Sequence, residues 1–119
     1  MINVVIIPAR AGSKRLKNKN MLKIKKKTLV ERTIIFSKKI KNIDKIIVSS
    51  NDPKVLAYSK KFKNIYFIKR PKNLSTSKSL LIHTVNYLNE LFDKKFKNIL
   101  VLQPTSPYRS INSINQNWI

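Results

Sequence analysis

The chain has 119 residues, no cysteine, one histidine, and 26 Lys or Arg against 5 Asp or Glu, giving a formal net charge of +21. This length supports one core, able to remove roughly two-thirds of the unfolded surface from water, and a hydrophobic content of 42% argues against disorder. Disulfide staples and thiolate metal sites are excluded, His83 alone rules out a histidine-rich zinc centre, and no apolar run approaches the ~20 residues a membrane helix needs. Ile2 to Pro8 is also too short for a signal-peptide core, so a cytoplasmic location is expected.

The first element is the apolar run Ile2 to Ile7, stopped by Pro8, which reads as a central parallel strand covered on both faces. Leu29, Val30, Ile34 and Ile40 recur at helical spacing and predict a helix from about Leu29 to Lys41. Lys45 to Ser49 is a second strand, and Asp52-Pro53 reads as an N-cap followed by a first-turn proline, opening a helix to about Phe62. Ile65 to Ile68 is a third strand, Leu81, Val85, Leu88 and Phe92 mark one face of a third helix, and Ile99 to Leu102 is a fourth strand. Gln103 to Arg109 follows as a loop, and Ser110 to Ile119 starts another helix that stops after a turn or two, so the chain reads as cut short.

Strands alternating with helices specify βαβ units with right-handed crossovers, hence an α/β fold with a doubly wound, Rossmann-like, mostly parallel sheet. No internal repeat or linker divides residues 1–119, which are expected to be part of a single domain. The charge has two readings. Lysine is spread over every surface segment (Lys25 to Lys27, Lys38-Lys39, Lys60-Lys61, Lys94-Lys95) and is not gathered with arginine and stacking aromatics. A basic nucleic-acid-binding module is therefore the minority reading, and solvated faces with some attraction for anionic substrates the majority one.

In an open α/β sheet, ligands bind at the carboxyl ends of the strands. After the first strand comes Pro8-Ala9-Arg10-Ala11-Gly12-Ser13-Lys14-Arg15, then Lys17, Lys19 and Asn20, which joins a turn, a hydroxyl and several cations into phosphate-binding chemistry. Gly12 is the only glycine, so neither a Walker loop nor a dinucleotide fingerprint can be drawn. Ser49-Ser50-Asn51-Asp52 is explained by helix capping alone. Pro71 forces Arg70 into an extended conformation and fixes how that guanidinium leaves the third strand. Gln103-Pro104-Thr105-Ser106-Pro107-Tyr108-Arg109 is stiffened by two prolines and presents an amide, two hydroxyls and a cation. His83, in the third helix, is assigned no role.

These motifs, in this order, resemble those of the acylneuraminate cytidylyltransferases (CMP-sialic acid synthetases). The likeness is carried by Ile6 to Arg15 with Lys19-Asn20, by Val48 to Asp52, by Arg70-Pro71 with Leu74, and by Leu102 to Arg109. It spans nearly the whole chain but only the N-terminal half of the family's pattern. The resemblance implies a fold like that of the nucleotide-diphospho-sugar transferases and transfer of CMP from CTP to a nonulosonic (sialic-type) acid with release of pyrophosphate. An octulosonate-type cytidylyltransferase is the nearer alternative. It further implies that Arg10, Ser13 and Lys19 hold the triphosphate, with Arg10 and Lys19 catalytic, that Asn20 and Arg70 recognise cytidine, and that Gln103 meets an acidic nine-carbon sugar. Arg109 would secure its loop. Mg²⁺ is the implied cofactor, with its aspartate ligands expected downstream of Ile119, and the full-length family is expected to form a homodimer. Three departures stand out, the first being that those aspartates are expected beyond Ile119. Thr76-Ser77-Lys78 takes the place of the family's usual Ser-Asp-Thr, and Lys17 that of a common proline.

Overall fold

In the computed structural model of the chain, residues 1–9, 23–24, 27–71 and 81–104 are described, and β1 (Ile2–Pro8) lies inside a four-stranded parallel sheet. Successive β1 side chains serve opposite faces. Val5 and Ile7 pack with Val30, Ile34, Val48 and Val55, while Val4 and Ile6 pack with Ile47, Val85 and Leu88. Two apolar faces require a continuous apolar run, and that is the physical content of the Val4 to Ile7 segment. Ile6, Ile7 and Ile47 have no exposed surface, each such burial stabilising the fold by roughly 1.5–3 kcal/mol.

The other elements follow in chain order. β2 (Lys23–Ile24) and β3 (Lys27–Thr28) form a small antiparallel pair, which the sequence pattern did not announce. Next come α1 (Leu29–Ser37), β4 (Lys45–Ser50), α2 (Pro53–Leu56) with a 3-10 turn at Ala57–Lys60, β5 (Tyr66–Lys69), α3 (Leu81–Leu91) and β6 (Phe96–Val101). The sheet order is β5-β4-β1-β6, with Val5 opposite Ile46 on one side and Leu100 on the other. The α1 and α2 residues Val30, Ile34 and Val55 cover one face, and Val85 and Leu88 of α3 cover the other, so the sheet is doubly wound as expected.

Three boundaries differ from the sequence pattern. α1 ends at Ser37 and not near Lys41, because the Ser37 hydroxyl caps Ile34 O at 2.7 Å and the chain tightens through Lys39 N to Phe36 O and Ile40 N to Ser37 O. Ile40 is still buried, so the apolar rhythm outruns the helix. The second helix narrows to a 3-10 turn after Leu56. β6 begins at Phe96, hidden in sequence by the polar pair Lys97-Asn98 and accompanied by a register shift at Ile2/Asn3. None of the described helices is long and apolar enough to cross a membrane.

Strands β1, β4 and β5 advance in one direction, after which the chain crosses back to place β6 on the other side of β1. The order therefore reverses between β1 and β6, the place where open α/β sheets leave a crevice beyond the carboxyl ends of their strands.

Candidate functional site

At the carboxyl edge, four strand exits are tied into one hydrogen-bonded frame. Ala9 N donates to Ser49 O at 2.9 Å, extending the β1–β4 ladder by one residue. The Ser50 hydroxyl donates to Ala9 O and accepts from Asp52 N at 3.0 Å. Arg70 N donates to Ser50 O at 2.9 Å, and Leu102 N to Ile6 O at 2.9 Å. Ala9, Ser49, Ser50, Asp52, Arg70 and Leu102 are all buried, so these polar groups have one another where water is excluded.

Asp52 is the cap the sequence indicates. Its Oδ1 accepts Lys54 N at 2.9 Å and Pro53 opens the helix. Arg70 leaves the sheet toward α3. Its guanidinium is buried and Nη2 donates to Thr84 Oγ1 at 2.9 Å, itself almost fully buried. Alternation along β5 puts Arg70 on the same side as Tyr66 and Ile68, and alternation along β6 puts Gln103 on the side of Ile99 and Val101. Both positions thus fall on the α3 face of the carboxyl edge. They stand at opposite margins of the sheet, three inter-strand spacings or about 14 Å apart. Gln103 is exposed and Pro104 buried.

Arg10, Ser13, Lys19 and Asn20 lie outside the described residues, as do Thr76 to Lys78, Thr105 to Arg109 and Trp118. The structure therefore puts Arg70 and Gln103 on one edge and one face, on either side of the β1 exit that leads to the segment carrying the other four. Sequence reasoning missed Ser50, taken for part of a cap, and Thr84. The burial of Thr84 beside Val85 on the inner face of α3 is readable from helical spacing, but its partner Arg70 is not.

The acidic residues decide whether this chain holds a metal. Glu31 accepts Lys61 Nζ at 2.6 Å, Asp44 Oδ2 accepts Asn3 N at 2.7 Å, Asp52 caps α2, and Glu90 pairs with Lys94 at 3.4 Å. Asp93 sits in the exposed turn before β6 with φ 59°. These are all five acidic residues, and only Asp52 is near the carboxyl edge. Among the described residues no three His, Cys, Asp or Glu gather for a metal ion. Mg²⁺ requires an oxygen-rich set, and the described residues gather no such set of carboxylates.

Glu31 belongs to a separate buried cluster. Its Oε1 meets the Thr28 and Tyr58 hydroxyls at 3.3 and 3.2 Å, and Thr28 Oγ1 accepts Glu31 N at 3.1 Å as a capping box. The Lys61 ammonium holds the Glu31 carboxyl at about 2, against a usual 4.5, although burial opposes it. Burial raises the Tyr58 hydroxyl, and the Glu31 hydrogen bond raises Lys61. The cluster fastens the start of α1 to the 3-10 turn. A cleft of about 370 Å³ lined by Ser37, Ile40, Asp44 and Ile46 opens at the amino edge, away from these loops.

An open parallel sheet, doubly wound, with a buried arginine at its carboxyl edge, is an α/β architecture of the kind found in solved nucleotidyltransferases. A solved CMP:2-keto-3-deoxy-manno-octonic acid synthetase, complexed with CTP, shares the fold at TM-score 0.76 and 22% identity, over 98% of this chain and 45% of that one. A family model described as Cytidylyltransferase matches residues 4–117, and the chain belongs to that family. It is 35% identical over 114 residues to the CMP-N,N'-diacetyllegionaminic acid synthase of Legionella pneumophila, covering 93% of this chain and 49% of that relative. It is 32% identical over 111 residues to the N-acylneuraminate cytidylyltransferase of Escherichia coli, covering 93% of this chain and 26% of that relative. The chain thus spans about half, or less, of the length of these relatives.

Proposed function

We propose that these residues form the N-terminal part of one cytidylyltransferase domain that transfers CMP from CTP to a nonulosonic, sialic-type acid. The observation that carries the reading is the match to the cytidylyltransferase family over residues 4–117, in a chain whose strand exits meet at one carboxyl edge. The names of the two curated relatives support a nine-carbon acid sugar as acceptor.

The anomeric oxygen of the sugar acid forms a bond to the α-phosphorus, the bond from that phosphorus to the bridging oxygen breaks, pyrophosphate departs, and the hydroxyl proton passes to solvent. No protein nucleophile is needed. Alignment and neutralisation of charge supply the acceleration, which suits a basic chain. On this reading Arg10, Ser13 and Lys19 receive the triphosphate, and Lys19 neutralises the leaving pyrophosphate. Asn20 and Arg70 bind the cytidine, and Gln103 meets the acid sugar. A buried, Thr84-anchored guanidinium is a fixed donor set at one margin of the edge, and Gln103 is an exposed amide at the other. A ligand laid across the strand ends spans that separation. Mg²⁺ is the divalent ion this chemistry implies. The carboxylates of this chain do not form its site, so no step here runs through it. A cytoplasmic setting and a homodimer of the whole protein belong to the same proposal.

Calorimetric titration of the chain with CTP, GTP and UTP at low salt tests it. Selective CTP binding in the micromolar to millimolar range, weakened by Arg70→Ala, is expected. Absence of CTP binding, or equal binding of all polyanions with a steep log-log salt slope, contradicts it and favours the nucleic-acid alternative.

A further inference from the structure

Ser50 is fully buried at the last position of β4, and its bonds reach the exits of both neighbouring strands as well as that of β4 itself. Its hydroxyl donates to the Ala9 carbonyl and accepts the Asp52 amide, while its own carbonyl accepts the Arg70 amide. Helix capping does not account for this. The Asp52 carboxylate already caps α2 through Lys54 N, so α2 would start without the Ser50 hydroxyl. What depends on that hydroxyl is Ala9, the residue immediately before Arg10. The carbonyl of Ala9 points away from water and has the Ser50 donor to satisfy it. On the other side, Arg70 leaves β5 from the Ser50 carbonyl and is fixed again at its far end by Thr84. One serine therefore sets the exits of β1 and β5 in a common frame, across the intervening strand.

We infer that Ser50 is a positioning residue for nucleotide binding: it holds the exit of β1 at Ala9 in register with the Arg70 guanidinium. The inference rests on the reading of this edge as a CTP site, and it makes a demand that packing alone does not. Loss of the hydroxyl must affect ligand affinity more than an equivalent loss elsewhere in the core. Ser37 supplies the matched reference. It is also fully buried and its hydroxyl also donates to a backbone carbonyl, that of Ile34 at 2.7 Å, but it lies at the end of α1, by the amino edge.

The test compares Ser50→Ala, Ser50→Thr and Ser37→Ala in the full chain by CTP titration, thermal melting and amide hydrogen exchange. Ser50→Ala should weaken CTP binding about tenfold and speed exchange of the Ala9 and Asp52 amides by a similar factor, the effect of one buried hydrogen bond. Ser50→Thr keeps the hydroxyl on a β-branched residue suited to a strand and should restore both. Ser37→Ala should lower the melting temperature comparably and leave CTP affinity unchanged. Equal loss of affinity in Ser50→Ala and Ser37→Ala reduces Ser50 to a packing residue and overturns the inference. Unchanged exchange at Ala9 and Asp52 in Ser50→Ala overturns it as well, whatever the affinity. If the parent chain binds no CTP, the reading of the site fails separately, and the exchange comparison still decides whether Ser50 sets the β1 exit.

Discussion

The two edges of the sheet are built from different bonds. At the amino edge, Asn3 N donates to Asp44 Oδ2, Asn3 Nδ2 to Asn42 O and Asn98 Nδ2 to Asn3 Oδ1, at 2.7, 3.1 and 3.0 Å, the first two exposed and the third half-buried. Turns there pass through Asn42, Asp93 and Lys94, all with positive φ. Lysines are also engaged at this edge: Lys45 Nζ donates to Tyr66 OH at 2.9 Å. At the carboxyl edge the bonds run through Ala9, Ser50, Arg70 and Thr84, all buried. A bond that water can replace contributes about 0.5–1.5 kcal/mol net, whereas orphaning a buried partner costs about 1–3 kcal/mol. The amino edge is thus a set of replaceable turn contacts. The carboxyl edge is a frame in which each group constrains the next, and such a frame suits a preorganised site.

This contrast can be broken from either end. The largest effect is expected from Arg70→Ala, which removes charge-assisted bonds of about 1.5–3 kcal/mol and should weaken CTP binding roughly ten- to hundredfold by calorimetry. Thr84→Val comes next. It leaves the guanidinium without its Thr84 acceptor and should cost about 1 kcal/mol of affinity, while Thr84→Ser should cost little.

Glu31→Gln sharpens the comparison from outside both edges. It should lower stability modestly in urea titrations through loss of the Lys61 pair, screened because Lys61 is exposed, without touching CTP affinity. The pH dependence has a definite sign. Because the folded carboxyl is held at about 2 against 4.5, its contribution is fully present above 4.5 and is lost as pH falls toward 2. The parent chain should therefore lose stability over that window, and Glu31→Gln should lose less. The smallest effect belongs to the amino edge. Lys94→Gly relieves a left-handed backbone at φ 57° and should raise stability by about 0.5 kcal/mol, with binding unchanged.

Most of the frame was legible where one local rule dominated. The Val4 to Ile7 run announced a strand buried on both faces, Asp52-Pro53 announced a helix start, and Pro71 announced the extended exit at Arg70. The β2–β3 pair was not legible, since Lys23, Lys27 and their neighbours carry no alternation to mark a strand. Nor was the end of α1, where Ile40 keeps the apolar rhythm going past the last helical turn. Ser50 and Thr84 were missed for another reason. Each has its meaning in a partner 41 or 14 residues away, and no local spacing encodes such a pairing.

The nucleotide is proposed to sit on the carboxyl edge. Amide chemical-shift mapping of the chain during CTP titration tests it most directly. Shifts should concentrate at Ala9, Ser49 to Asp52, Arg70 and Leu102-Gln103, leaving Asn42, Asp44, Asn64 and Lys95 unmoved. Shifts centred on the amino edge, or spread evenly over the lysine-bearing surface, would contradict it.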